Sequence, residues 1–173
     1  MRTSAQWIAE AVSGRLVGND VGVTGSVVTD SREAQAGSLY VARRGESADG
    51  HAFVAGAVGR GAVAAIVEHE VDEAVAQIVV EDSTEALGAL ARAHVEKLRS
   101  SGDLDVIAMT GSVGKTTTKD LLLQIMSEDG PTVAPKLSFN NEVGLPLTVL
   151  LADESTRHLV LEMGASAPGH ITY

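Results

Sequence analysis

The sequence contains no cysteine, which removes disulfides and thiolate metal ligands and is consistent with a reducing, cytosolic setting. Aromatic residues are scarce: one Trp, two Tyr and two Phe among 173 residues leave the core to aliphatic side chains. Basic residues are also in deficit. Thirteen Lys and Arg against 23 Asp and Glu give a net charge of −10, which argues against a nucleic-acid partner, because binding a phosphate backbone needs a basic surface. No apolar run approaches the roughly 20 residues that span a bilayer, so no membrane insertion is expected. The N-terminus lacks the basic and apolar regions of a signal peptide, since Gln6 and Glu10 interrupt it. There is no internal repeat and no low-complexity tract.

Against these absences stands one informative stretch, residues 104–119, which reads LDVIAMTGSVGKTTTK. An apolar strand, Leu104 to Met109, runs into Thr110-Gly111-Ser112-Val113-Gly114-Lys115-Thr116-Thr117. An apolar-periodic helix follows, marked by Leu121, Leu122, Ile125 and Met126. Strand, glycine-rich turn and Lys-Thr at a helix start make a phosphate cradle. The glycines let successive N–H groups point inward at an anion, and the helix N-terminus adds partial positive charge. Lys115 can reach the terminal phosphates, and the Thr116 hydroxyl is placed to ligate Mg²⁺. The usual spacing would put a glycine at Met109, so this loop is a shortened variant. An ordinary βα turn is the plain alternative. In an acidic chain, phosphate must be held by local, aimed donors, and this loop supplies them.

The chain divides by pattern into residues 1–101 and 102–173. The first block opens with an amphipathic helix (Trp7, Ile8, Ala11, Val12) ending at Gly14, with Trp7 as its core anchor. Short apolar runs follow at Val21–Val23, Ser26–Val28 and Ser38–Ala42, then a helix over 52–58 and strand-like segments at 62–68 and 78–80. Asp82 with Glu85 resembles a capping box opening a helix through Leu98, with His94 on its solvated side. Ser100-Ser101-Gly102-Asp103 reads as a linker.

In the second block the strand near 132–134, the polar loop Ser138-Phe139-Asn140-Asn141, a helix around 147–151 and the strand 158–162 alternate in a way that implies a parallel α/β sheet. Ligands bind such sheets at the carboxyl ends of strands, where both the phosphate loop and Glu162 fall. A new helix is expected to start near Gly169, so the sequence reads as part of a longer protein, the alternative being a naturally short chain that pairs with a partner.

Four stretches in order resemble the Mur ligase family. Thr29-Asp30-Ser31-Arg32, with Gly37–Ala42 and Gly45 through Asp49-Gly50-His51, is similar to the family's uridine-nucleotide-binding N-terminal domain; TGSVGKTTTK resembles its phosphate loop; FNNEVGLPLTVL and LEMGASAPGHI resemble its central ATPase domain. The resemblance implies a small mixed α/β UDP-binding domain over 1–101. It is followed by the first part of a parallel-sheet ATP-binding domain from 102. The rest of that domain, and a C-terminal domain, would lie beyond Tyr173, and the 173 residues alone are then expected to be inactive.

The implied activity is ATP-dependent amide-bond formation in peptidoglycan synthesis, in the cytoplasm. D-Alanyl-D-alanine would be joined to UDP-MurNAc-tripeptide through an acyl phosphate, with ATP and Mg²⁺. Carried over residue by residue, Lys115 would contact the phosphates, Thr116 and Glu162 would hold the metal, and Asn140 or Asn141 would lie beside the γ-phosphate. A carboxylate that merely caps a strand end is the alternative for Glu162. Ser31, Arg32, Ser47, Asp49 and His51 would take the UDP portion. For these the alternatives are a polar turn with a surface arginine, and an exposed turn histidine at 51. A sister ligase that adds the third amino acid to the dipeptide precursor usually has Asn where this chain has Val113, and it lacks the Phe139-Asn140-Asn141 run. A catalytically silent module of the same fold, and a generic P-loop kinase, are the remaining readings.

Overall fold

A computed structural model describes residues 1–45, 48–135 and 140–164. The sequence-expected helix near Gly169 therefore lies outside the described residues, as do Ser138 and Phe139. The chain forms two compact units, Met1–Leu90 and Ala91–Tyr173. Both are mixed α/β with parallel strands.

The first unit comprises β1 (Thr3–Ser4), α1 (Ala5–Ala11), β2 (Arg15–Val17), β3 (Gly22–Val23), β4 (Val27–Val28), β5 (Leu39–Val41), α2 (Val54–Val58), β6 (Ala64–Val67), β7 (Ala76–Val79) and the start of α3 (Ser83–Ser101). Single 3₁₀ turns lie at Ser31–Glu33 and Gly50–Phe53. The main sheet has the order β2-β7-β6-β5-β4. Its strands are parallel except β2, which pairs antiparallel with β7. Strands buried on both faces need continuous apolar runs, and β5 and β6 have them: Leu39, Tyr40 and Val41, then Ala64, Ala65, Ile66 and Val67, are all buried. One face packs Tyr40, Ala65 and Val67 against Val54 and Ala57 of α2. α1 lies against β2 and β7 and buries Ala5, Ile8 and Ala9.

Parallel neighbours normally need a crossover of a dozen or more residues, yet only residues 68–75 connect β6 to β7. The buried Gln77 side chain braces this short connection. Its Oε1 accepts from Val71 N–H (2.9 Å), while Nε2 donates to the carbonyls of Val71 (2.9 Å) and Glu73 (3.3 Å). The amide thus replaces hydrogen bonds that a helix would have supplied.

α3 begins where the sequence expects it. Asp82 Oδ1 accepts from the N–H groups of Thr84 (2.7 Å) and Glu85 (2.9 Å). It ends later than expected: Ser100 and Ser101 are helical, their hydroxyls donating to the carbonyls of Lys97 and Leu98 one turn back, so the polar linker reading fails at these two residues. The division between units falls inside α3.

The second unit holds the remainder of α3, β8 (Asp105–Met109), α4 (Lys115–Asp129), β9 (Thr132–Val133), α5 (Gly144–Val149) and β10 (His158–Glu162). The three strands are parallel, in the order β8-β10-β9. β10, in the middle, is buried along its whole length, whereas β8 is partly exposed. His94 is buried, not solvated, and its Nε2 donates to the Ala152 carbonyl (2.8 Å). Burial pushes its imidazole pKa down. The signal was available: Leu87, Leu90, Ala91, His94 and Leu98 fall on one helical stripe. Among the described residues no helix is long and apolar enough to cross a membrane.

Candidate functional site

In the second unit, β8 ends at Met109 and the loop 110–114 turns directly into α4. Gly114 takes φ +85°, a left-handed conformation that disfavours a side chain, and its carbonyl accepts the first helical bond from Thr118 N–H. The loop is open to solvent, with Val113 91% exposed and Thr110, Gly111 and Ser112 exposed beside it. The Lys115 ammonium folds back and donates to the Gly111 carbonyl of its own loop. Thr117, also exposed, lies in the first turn of α4.

Glu162 closes β10 and is 1% exposed. Two neutral donors meet its two oxygens: Thr116 Oγ1 reaches Oε2 and Asn140 Nδ2 reaches Oε1, each at 3.1 Å. Asn140 is held in turn by its backbone, whose carbonyl accepts from Gly164 N–H (2.9 Å). Asn141 faces elsewhere, accepting at Oδ1 from Gly144 N–H (2.8 Å) where α5 begins. Three residues singled out in the sequence therefore converge, and Asn140 rather than Asn141 is the asparagine on the carboxylate.

The donor set suits Mg²⁺. One buried carboxylate and one hydroxyl, both hard oxygens, leave positions for water and phosphate oxygens, which is how this ion is usually held. Among the described residues no group of three or more His, Cys, Asp or Glu is arranged to hold a metal.

The first unit gathers its polar residues at the carboxyl ends of β4, β5 and β6. After β4, Asp30 caps the turn by accepting from Arg32 N–H (2.9 Å), and the Arg32 guanidinium folds onto the same carboxylate. These bonds hold the Asp30 pKa down at about 2. Arg32 remains 82% exposed, but it is already paired, and Ser31 beside it is half-buried. After β5, Asp49 caps the second turn through His51 N–H (3.0 Å). The hydrogen bonds of the His51 backbone and ring lower the Asp49 pKa.

His51 is not an exposed turn residue: it is 7% exposed, because Nδ1 meets Asp49 while Nε2 accepts from Glu68 N–H (2.8 Å). Both ring nitrogens are therefore engaged within the protein, in the Nδ1–H tautomer. Gly50 is required by close approach, since a Cβ there would lie 2.6 Å from the Arg43 carbonyl oxygen. Ser47 lies outside the described residues.

Glu68 and Arg44 were not singled out in the sequence. Glu68 closes an apolar strand in the same way as Glu162 does, and that signal applied equally to both.

Two family models match the sequence, the Mur ligase family catalytic domain over residues 24–95 and the Mur ligase middle domain over 109–172. UDP-N-acetylmuramoyl-tripeptide–D-alanyl-D-alanine ligase of Mycobacterium leprae (strain TN) is 39% identical over 86% of this chain and 33% of its own length. A crystal structure of MurF from Acinetobacter baumannii superposes with a TM-score of 0.90 at 37% identity, covering 100% of this chain and 38% of that one. MurF ligase from Thermotoga maritima, crystallised in complex with ADP, gives 0.74 at 36% identity over 86% of this chain and 34% of that one. The chain spans about a third of the length of the curated relatives it matches.

Proposed function

This chain belongs to the Mur ligase family, and from that premise we propose that it serves an ATP-dependent ligase joining D-alanyl-D-alanine to UDP-MurNAc-tripeptide. The observation that carries the reading is the meeting of Thr116 and Asn140 on the buried Glu162 beside an exposed phosphate loop. In this reading residues 1–101 take the uridine nucleotide and residues from 102 onward take ATP, in the cytoplasm.

The reaction would pass the γ-phosphoryl group of ATP to the terminal carboxylate of the tripeptide. The dipeptide amine would then displace phosphate from the acyl phosphate to leave an amide. Phosphoryl transfer depends mainly on positioning and charge stabilisation, so the residues need not form covalent bonds. Loop N–H groups and the N-terminus of α4 orient the phosphates. Lys115 leaves the Gly111 carbonyl and neutralises charge on the outer phosphate oxygens. Thr116 and Glu162 hold Mg²⁺, which when bound supplies positive charge to the phosphates. Asn140 keeps Glu162 oriented and offers its amide to the γ-phosphate. Ser31 and Arg32, with Ser47, Asp49 and His51, belong to the uridine-nucleotide site; of these His51 acts by holding Asp49.

Phosphate release from ATP by the protein in its full length tests the proposal. Release should require UDP-MurNAc-tripeptide and D-alanyl-D-alanine together. Equal release with the dipeptide precursor and a single amino acid would assign it to the sister ligase, and no release with either pair would leave a silent nucleotide-binding module.

A further inference from the structure

The first unit contains a closed polar ring that extends beyond the site residues Asp49 and His51. Glu68, at the carboxyl end of β6, is its hub. Its Oε2 forms an ion pair with Arg44, 3.0 Å from Nε. Its Oε1 accepts from both the N–H (3.2 Å) and the hydroxyl (2.9 Å) of Ser83, at the start of α3. Its own N–H donates to His51 Nε2, and His51 Nδ1 continues to Asp49, whose other oxygen lies 3.9 Å from Arg44 Nε. Arg44 and Asp49 also form an antiparallel bridge through their backbones. One glutamate thus binds three segments: the end of β6, the start of α3, and both ends of the loop between residues 44 and 49.

Exposure separates the members of this ring. The Glu68 side chain is only 14% exposed and His51 is buried, whereas the Arg44 side chain is 60% exposed and Asp49 49%. The bonds from Ser83 give Oε1 a role in the fold, whereas the half-exposed pair with Arg44 adds little to stability, so folding gives little reason for the contact at Oε2. What the carboxylate does is fix the direction of a guanidinium. Arg44 meets Glu68 with Nε, and its side chain is 60% exposed. A guanidinium held by one edge is pre-organised to give a fork of donors to an anion, with less freedom to lose on binding.

We propose that Glu68 is a positioning residue for the diphosphate of the uridine nucleotide: it holds Arg44 directly, and Asp49 through His51, at the carboxyl ends of β5 and β6. The inference rests on the uridine-nucleotide reading of this unit. It adds Arg44 as a phosphate contact and gives His51 a supporting role in place of ligand contact.

The substitution Glu68→Gln tests it. The amide carbonyl can still accept from Ser83, so the start of α3 keeps its partner, while Arg44 loses its charged anchor. Titration of labelled backbone amides with UDP and with uridine, beside thermal melting, gives the answer. The variant should melt close to wild type and bind UDP about tenfold more weakly, the worth of one charge-assisted contact. Its affinity for uridine should be unchanged. A purely structural role would weaken both ligands alike, and that result would overturn the proposal, as would unchanged UDP affinity. Failure of the wild type to bind UDP at all would overturn the uridine-nucleotide reading itself, and the role of Glu68 with it. Arg44→Lys supplies the second arm. It keeps the charge but loses the fork, and should lower UDP affinity without changing the Nδ1–H tautomer signature of the His51 ring nitrogens; wild-type UDP affinity in this variant would also overturn the proposal.

Discussion

The two units meet solvent at their strand ends in different ways. In residues 91–173 the end of β8 offers backbone: an exposed loop, a left-handed Gly114 and a helix start, with one lysine folded onto the loop carbonyl. In residues 1–90 the ends of β4, β5 and β6 offer side chains, and two of the cations there are matched to carboxylates, Arg32 to Asp30 and Arg44 to Glu68. Both solutions suit a chain of net charge −10. Backbone dipoles bind anions without adding charge, and paired arginines keep their direction without creating a basic surface that would attract nucleic acid. The backbone design depends on glycine geometry. The side-chain design depends on the carboxylates of Asp30 and Glu68, which hold the arginines.

The comparison is broken most severely by Lys115→Ala. It removes the lysine of the phosphate loop, and should cost about 1.5–3 kcal/mol of ATP-analogue affinity, the usual worth of a hydrogen bond to a charged group. Melting without ligand should be nearly unchanged, because Lys115 contacts its own loop rather than the core. A large loss of melting temperature, or equal affinity, would remove Lys115 from the site.

Gly50→Ala tests the other unit. Its Cβ would approach the Arg43 carbonyl to 2.6 Å, a backbone atom that cannot swing away. Overpacking of this kind should cost about 1–3 kcal/mol of unfolding free energy. Denaturant titration reads it, and ATP-analogue affinity in the second unit should be unaffected.

A smaller effect separates the units by pH. Burial depresses the folded pKa of His94 below 6.5, so the unfolded chain binds the proton more readily. Stability of the second unit should therefore fall as pH drops below 6.5 and be indifferent to this group above it. His94→Asn should flatten that slope in the urea midpoint, whatever it does to the midpoint itself.

The smallest effect concerns Asp30, whose carboxyl is held at about 2 by its bonds with Arg32. A carboxylate of this kind contributes above its ordinary value of 3.8, and the contribution fades as pH falls through about 2. Carbon-detected titration should show the low midpoint in the wild type and a return toward 3.8 in Arg32→Ala. A midpoint that stays low would assign the shift to another group.

The sequence made the second unit's site legible because its signals are local. The phosphate loop sits in a single stretch, and Glu162 announces itself by ending a long apolar run. The Asp82 cap was equally plain. β1 and β2 escaped notice because two or three residues carry no period, and their partners lie far along the chain. The paired state of Arg32 and the burial of His51 were likewise not written locally. His51 is covered because Glu68, 17 residues later, returns its N–H to the ring, and a turn motif read by itself looks exposed. That Asn140 rather than Asn141 meets Glu162 follows only from the fold, which brings the β10 carboxylate beside it.

The pairing of β2 with β7 has a consequence for the order of folding. Arg15 lies opposite Val79, so the strand made early must wait for one made much later. The strands β4, β5, β6 and β7 can be added in the order in which they are synthesised, each beside its predecessor. Residues 1–17 cannot join until residue 79 has left the ribosome, and α1, which rests on β2 and β7, must wait with them. The N-terminal helix can therefore dock only after β7 has been made, and on a nascent chain its apolar face stays uncovered until then.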